Sequence, residues 1–208
     1  MGVLGGEGIG AETIRAWAKA SDMVIAVDSG IHYLEEARLE PDLIVGDLDS
    51  AVSVRDYDPD IVYLDQDEDR SDLQKLLALA KRYQANEVVL SCVHGRRLDH
   101  FLASFSAAIA TDMSIRWILP HEHAVLIRPG FAGVFSTGVA KIISLLPLDG
   151  ECLTSTEGLK WDLNSAVLQV GRHWSLSNES VRDAISLQVY GGHLVLMVEH
   201  PPQEVPPW

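Results

Sequence analysis

The chain has 208 residues, 47% of them apolar, and its 30 acidic side chains outnumber 16 basic ones for a net charge of −14. Such acidity is a poor match for the phosphate backbone of nucleic acid or for an anionic membrane surface. No run of 18 apolar residues offers a membrane span, and the apolar fraction is too high for a disordered chain. Met1 to Gly6 lacks the basic start and apolar core of a secretory signal, so a cytoplasmic chain is expected, with Cys92 and Cys152 as free thiols.

In chain order, Val3-Leu4 leads into Gly5-Gly6-Glu7-Gly8, and a helix is predicted from Ala11 to about Ala20. Apolar runs at 23–27, 43–45 and 61–64 read as short strands, with a helix over 31–38 between the first two. Residues 71–83 read as a helix carrying Leu73, Leu76, Leu77 and Ala80 on one face. Residues 87–92 form a strand, 98–110 a helix and 114–119 a strand. Short apolar strands alternating with helices predict a Rossmann-like, mostly parallel sheet with helices on both faces. After Pro120 the helical period stops. β-like runs at 124–127, 133–136, 140–145, 166–170, 186–189 and 194–199, punctuated by Gly, Pro, Asn and Ser, predict an antiparallel β-sandwich. The expected organisation is an α/β domain over 1–122 followed by an all-β domain over 123–208.

The charge is local. Residues 28–72 hold 15 acidic side chains and three basic ones, which accounts for twelve of the fourteen net negative charges. Three acidic features fall at predicted strand ends, where open α/β sheets bind ligands. They are Asp28-Ser29-Gly30, Gly46-Asp47-Leu48-Asp49-Ser50, and the run from Asp65 to Asp72. Asp47 and Asp49, two apart just past a strand, can turn toward one point, and Asp72 is a third candidate. An all-oxygen set of this kind suits Mg²⁺. Asp-x-Asp also occurs in ordinary surface loops, so the strand-end placement is what gives the pair weight.

His94-Gly95-Arg96-Arg97-Leu98-Asp99-His100 follows a strand and opens a helix. An Arg at a helix start grips phosphate together with backbone N–H groups. Asp99 and His100 are placed to bind a ribose hydroxyl, orient a base or cap the helix. Gly5 to Gly10 matches neither nucleotide-loop pattern in full and reads as a tight turn at the site's edge. In the second half, the segments around Trp161 and Trp174-Ser175-Leu176-Ser177-Asn178 combine indole with hydroxyl and amide groups. That suits a flat aromatic ligand, although Trp in a β-domain more often serves the core.

Together these segments resemble the thiamine pyrophosphokinase family. Its patterns are Ala-Asp-Gly-Gly-Ala-Asn, Pro-Asp-x-Ile-x-Gly-Asp-x-Asp-Ser, Asp-x-Asp-x-Thr-Asp, Gly-Gly-Arg-x-Asp-His and a late Ser-Asn. They are matched in order by the segments at 28–32, 41–50, 67–72, 94–100 and 177–178. The resemblance implies transfer of pyrophosphate from ATP to thiamine, giving thiamine diphosphate and AMP. It implies a homodimer, with thiamine between the α/β half of one subunit and the β half of the other. It assigns Asp47, Asp49 and Asp72 to Mg²⁺ and Asp28 to the reacting hydroxyl. It assigns Arg96, Asp99 and His100 to ATP, and Glu68, Trp174, Ser177 and Asn178 to thiamine.

The chain departs from those patterns. Ser29 replaces a glycine, so a positive φ there would be costly. His32 replaces an asparagine and Ser71 a threonine. Glu68 stands where a glutamine is common, His94 replaces the first glycine of Gly-Gly-Arg, and Arg97 adds length before Leu-Asp-His. Two other readings compete: a metal-dependent phosphatase of the aspartyl-phosphate type, and a non-catalytic thiamine- or nucleotide-binding module.

Overall fold

The apolar runs form the strands of the first unit, and the amphipathic stretches between them form its helices. The computed structural model describes residues 1–46, 57–64, 67, 69–95, 97–200 and 204–205. The chain divides into two units, one built on Met1–Pro120 and the other beginning at His121. Among the described residues no helix is long and apolar enough to cross a membrane.

The first unit contains β1 (Gly2–Val3), α1 (Ala11–Lys19), β2 (Ile25–Val27), α2 (Ile31–Ala37), β3 (Leu43–Gly46) and β4 (Val62–Leu64), followed by α3 (Asp72–Arg82), β5 (Glu87–Ser91), α4 (Leu98–Ile109) and β6 (Ser114–Ile118). Its strands are parallel and lie in the order β6-β5-β1-β2-β3-β4. Successive strand residues point to opposite faces, so each strand serves two layers. Val3, Ala26, Ile44 and Ile118 pack with Ile14 and Trp17 of α1 and with Ile31, Leu34 and Ala37 of α2. On the other face Gly2 abuts Leu76 of α3. There the Trp117 ring lies tilted against Phe105 of α4, with centroids 4.9 Å apart, and donates its indole N–H to Ser104 Oγ at 3.1 Å, so the buried indole has a partner.

The second unit contains β7 (Glu122–Ile127), β8 (Ala132–Ser136), β9 (Ile142–Pro147), β10 (Glu151–Glu157), β11 (Ala166–Gln169), β12 (Ser175–Glu179), β13 (Ala184–Gly191) and β14 (Leu194–Glu199). Two antiparallel four-stranded sheets, β12-β9-β14-β7 and β11-β10-β13-β8, make the expected sandwich. Their inner faces share one core of Ile127, Phe135, Ile143, Leu145, Leu168, Ile185, Leu187, Leu194 and Leu196.

The apolar patterning predicts six of these strands but neither β10 nor β12. β10 is polar in sequence, but its inward positions are Cys152 and Thr154, and the Thr154 hydroxyl is satisfied by the carbonyl of Gln188 at 2.8 Å. β12 carries only one long apolar residue, and its pairing with β9 shifts register between Ser175 and Asn178. Ile185 is wholly buried between the sheets. Replacing it with alanine is expected to cost about 2–5 kcal/mol. An unchanged urea midpoint for Ile185→Ala would show that this core does not carry the stability of the unit.

Candidate active site

Strand order reverses between β1 and β5, and the loops that leave these strands run to helices on opposite faces. In open α/β sheets a crevice forms at such a point, at the carboxyl ends of the strands. Here a cleft of about 430 Å³ occupies it. Its walls include Leu4, Gly5 and Gly6 after β1, Asp28 and Ser29 after β2, and Cys92, Val93 and His94 after β5. Ser71 and Asp72 at the start of α3 line it as well, with Arg97 and His100 at the start of α4 and Ser104 further along that helix. The two central loops are tied together. The Gly6 N–H donates to the Cys92 carbonyl and the Glu7 N–H to the His94 carbonyl, both at 2.6 Å. Tyr33 of α2 adds a hydrogen bond to the Gly6 carbonyl at 2.6 Å. The turn read as the site's edge is thus part of its wall.

Asp28 opens a single 3₁₀ turn over Asp28–Gly30 and takes a positive φ of 48°. Gly46, the last residue of β3, stands directly against its backbone: a Cβ there would lie 3.3 Å from the Asp28 Cα. Gly46 is therefore required for close approach as well as for its own φ of 150°. Ser29 keeps a negative φ, so the strain expected from losing a glycine does not arise. Its hydroxyl fills the space above Gly5 instead.

Asp72 is the first residue of α3, which Ser71 caps. Ser71 Oγ accepts from the Gln74 N–H at 3.3 Å, and the Gln74 side chain accepts from the Ser71 N–H at 2.9 Å. One residue the sequence reading passed over stands beside this cap. Lys75 has a side chain only 4% exposed, and its ammonium pairs with Asp72 at 3.5 Å. A buried ammonium is costly unless it is paired, so this cation serves as the resident counter-charge of the acidic segment. The signal for it was a lysine between Leu73 and Leu76, on the apolar face of the helix. Asp67 pairs with Arg70 Nε at 2.7 Å, and this hydrogen bond holds its carboxyl below the usual range. Cys92, also in the wall, has its thiol pushed up to about 11 by burial, which makes it unreactive as a nucleophile.

His100 reaches the cleft, whereas Asp99 is exposed on the helix start and held by Arg97 in a two-pronged pair at 2.5 and 3.1 Å. Asp47, Asp49, Glu68 and Arg96 lie outside the described residues. Among the described residues no group of three or more His, Cys, Asp or Glu is placed to hold a metal ion. The described carboxylates of the cleft are Asp28 and Asp72, an oxygen-only donor pair whose chemistry fits Mg²⁺. β3 delivers its last residue, Gly46, to the edge where Asp28 sits.

In the second unit Trp174 is 52% exposed just before β12. Ser177 lies in the register shift of β12, with a positive φ of 52° and its N–H bonded to Ser144 Oγ at 3.1 Å. Asn178 is buried. Its amide accepts from the Trp161 N–H at 3.2 Å and donates to the Trp161 carbonyl at 2.9 Å. Asn178 therefore fixes the loop that presents Trp161, an exposed indole with the Lys160 ammonium 5.0 Å from its ring centre.

A switch-point cleft with carboxylates on one side and Arg97 and His100 on another defines an α/β protein built to handle a nucleotide or similar phosphate ester. Two family signatures match the chain: the thiamin pyrophosphokinase catalytic domain over residues 14–119 and the thiamin pyrophosphokinase vitamin B1 binding domain over residues 134–193. The chain belongs to the thiamin pyrophosphokinase family. A thiamine pyrophosphokinase of Bacillus subtilis (strain 168) is 26% identical over 183 residues, covering 83% of this chain and 85% of that protein. In fold, the chain is similar to the crystal structure of the Bacillus subtilis thiamine pyrophosphokinase (TM-score 0.81, 22% identity, 95% of this chain and 97% of that one). It is likewise similar to the Candida albicans thiamin pyrophosphokinase (TM-score 0.82, 17% identity, 95% and 87%).

The Arg97–Asp99 pair gives a pH prediction. The hydrogen bond from Arg97 holds the Asp99 carboxyl down at about 2. A depressed carboxyl favours the folded pair above its unfolded range near ~4, and the pair is lost as pH falls toward 2. In Arg97→Ala the Asp99 carboxyl carbon, followed by NMR, is expected to titrate close to ~4. An unshifted titration would remove Arg97 as the cause.

Proposed function

We propose that this chain transfers the pyrophosphoryl group of ATP to the hydroxyl of thiamine, releasing AMP. The observation that carries the reading is the switch-point cleft. It gathers Asp28, Asp72, Arg97 and His100 at one sheet edge, in a chain that carries both the catalytic and the vitamin B1 binding signatures. Mg²⁺ belongs to this reading, with Asp47, Asp49 and Asp72 as its ligands. A bound ion would supply positive charge to offset the negative charge of the phosphate oxygens.

The protein's own groups supply positioning and electrostatics, which dominate phosphoryl transfer. Asp28, fixed by its 3₁₀ turn against Gly46, orients the attacking hydroxyl and receives its proton. Lys75 keeps the Asp72 carboxylate aligned from behind. Arg96 and His100 hold the nucleotide, and Asp99 acts by setting the direction of Arg97. Glu68, Trp174 and Ser177 hold thiamine, with Asn178 acting through the loop of Trp161. A carboxylate at position 68 suits the thiazolium cation. The working unit is a cytoplasmic homodimer. Free, buried Cys92 and Cys152 support the compartment, and the exposed apolar Trp161, Trp174 and Leu176 support a partner surface.

Asp47→Asn and Asp49→Asn are each expected to lower Mg²⁺-dependent AMP release from ATP plus thiamine by about 100-fold or more. Near wild-type rates in either variant would remove it from the metal site. Binding of ATP and thiamine by the wild type without AMP formation would replace the enzyme with a binding module. Light scattering on the eluting protein is expected to give twice the chain mass, and a monomer would overturn the homodimer.

A further inference from the structure

We infer that His94 hydrogen-bonds the phosphate chain of the bound nucleotide, a contact that the glycine of the family's Gly-Gly-Arg pattern has no side chain to make. The inference rests on reading the cleft as the ATP site. His94 follows β5 at the point where strand order reverses, and it lines the cleft. Its backbone is fixed: its carbonyl accepts from the Glu7 N–H at 2.6 Å, and Gly6 is seated against that same carbonyl oxygen.

The ring, by contrast, is not spent. Its side chain is 19% exposed, and Nδ1 is buried with no hydrogen-bond partner among the described residues. Nε2 stands 3.9 Å from Glu7 Oε2, beyond hydrogen-bond reach. An imidazole always carries at least one N–H donor. Buried polar atoms are nearly always satisfied, so an unsatisfied ring in a cleft wall marks a place where a ligand atom completes the bonding.

The neighbours in the wall decide what that atom is. Beside His94 are the side-chain-free backbone of Gly5 and Gly6, the Ser29 and Ser71 hydroxyls, the Arg97 guanidinium and His100. Arg97 and His100 add donors to the wall, and Gly5 and Gly6 leave space for close approach, which suits the acceptor oxygens of a phosphate chain carried with a cation past the Asp28 and Asp72 carboxylates of the same cleft. A purine, which brings donors of its own, matches it less well.

The test is titration calorimetry in Mg²⁺ with three probes: a non-hydrolysable ATP analogue, inorganic tripolyphosphate and AMP. In His94→Gly, which restores the family's residue, the ATP analogue and tripolyphosphate are expected to bind about tenfold more weakly. AMP is expected to be nearly unaffected. His94→Gln, which keeps a neutral donor, is expected to recover part of the loss and gives a second reading should the glycine variant fold poorly. Equal affinity for the ATP analogue in wild type and both variants overturns the inference while leaving the ATP site standing. An equal loss for AMP also overturns it, since it places His94 on the base or ribose. A wild-type protein that binds none of the three overturns the ATP site and the inference together.

Discussion

The reversal of strand order between β1 and β5 is the constraint from which the site follows. Two neighbouring parallel strands whose connections leave for opposite faces open a gap at their carboxyl ends, and nothing in the sheet itself fills it. The loops that border the gap would splay if left alone. Two short backbone bonds, from Gly6 to Cys92 and from Glu7 to His94, tie one loop to the other across the sheet. Gly6 makes this possible, because any Cβ there would meet the Cys92 and His94 carbonyls. The cleft is therefore preformed, and its walls need no rearrangement to receive a ligand.

The acidity of the chain takes on physical meaning at this edge. Carboxylates crowded at strand ends repel one another, and the fold answers locally. Asp67 takes Arg70, Asp72 takes Lys75, and Asp99 takes Arg97. These pairs differ in kind. The first and third are exposed and screened by water, so their value is orientation more than stability. The second sets a buried ammonium behind a carboxylate of the cleft, where its charge is little screened. Carboxylates gathered at one sheet edge need a fixed positive charge of this sort to stay in place.

The α/β half was legible because its physics is repetitive. Apolar strands of three to five residues end at Asp28, Gly46 and Cys92, and helices of period 3.6 such as Asp72–Arg82 carry one buried face. Where chemistry is local to a strand end, as with Asp28 and Asp72, sequence alone placed it at the cleft. It failed where a side chain's meaning comes from a partner far along the chain. Asn178 read as a ligand group, yet its amide holds the backbone of Trp161, 17 residues away. β10 follows the same rule, since its inward Thr154 hydroxyl is satisfied by the Gln188 carbonyl of the neighbouring strand, and the backbone N–H of Ser177 in β12 is taken by the Ser144 hydroxyl of β9. Lys75 was hidden by the habit of placing lysine on the wet face of a helix.

Backbone strain supplies an independent line of argument. Asp28, Cys92 and Ser177 hold positive φ without being glycine, at a cost of about 1–3 kcal/mol each when the surroundings impose it. Asp28 and Cys92 sit at the carboxyl ends of β2 and β5, and Ser177 sits in the register shift of β12. Glycine would relieve the strain at any of them, so the side chain must repay it. For Cys92 the return is packing, since the residue is fully buried in the core beneath the cleft. Asp28 differs: it is a partly exposed carboxylate in the cleft wall, pressed against the backbone of Gly46. A strained turn that aims a carboxylate into a cleft is stable only because Val3, Ala26 and Ile44 beneath it are packed without exposure, so the core of the sheet underwrites the geometry of the site.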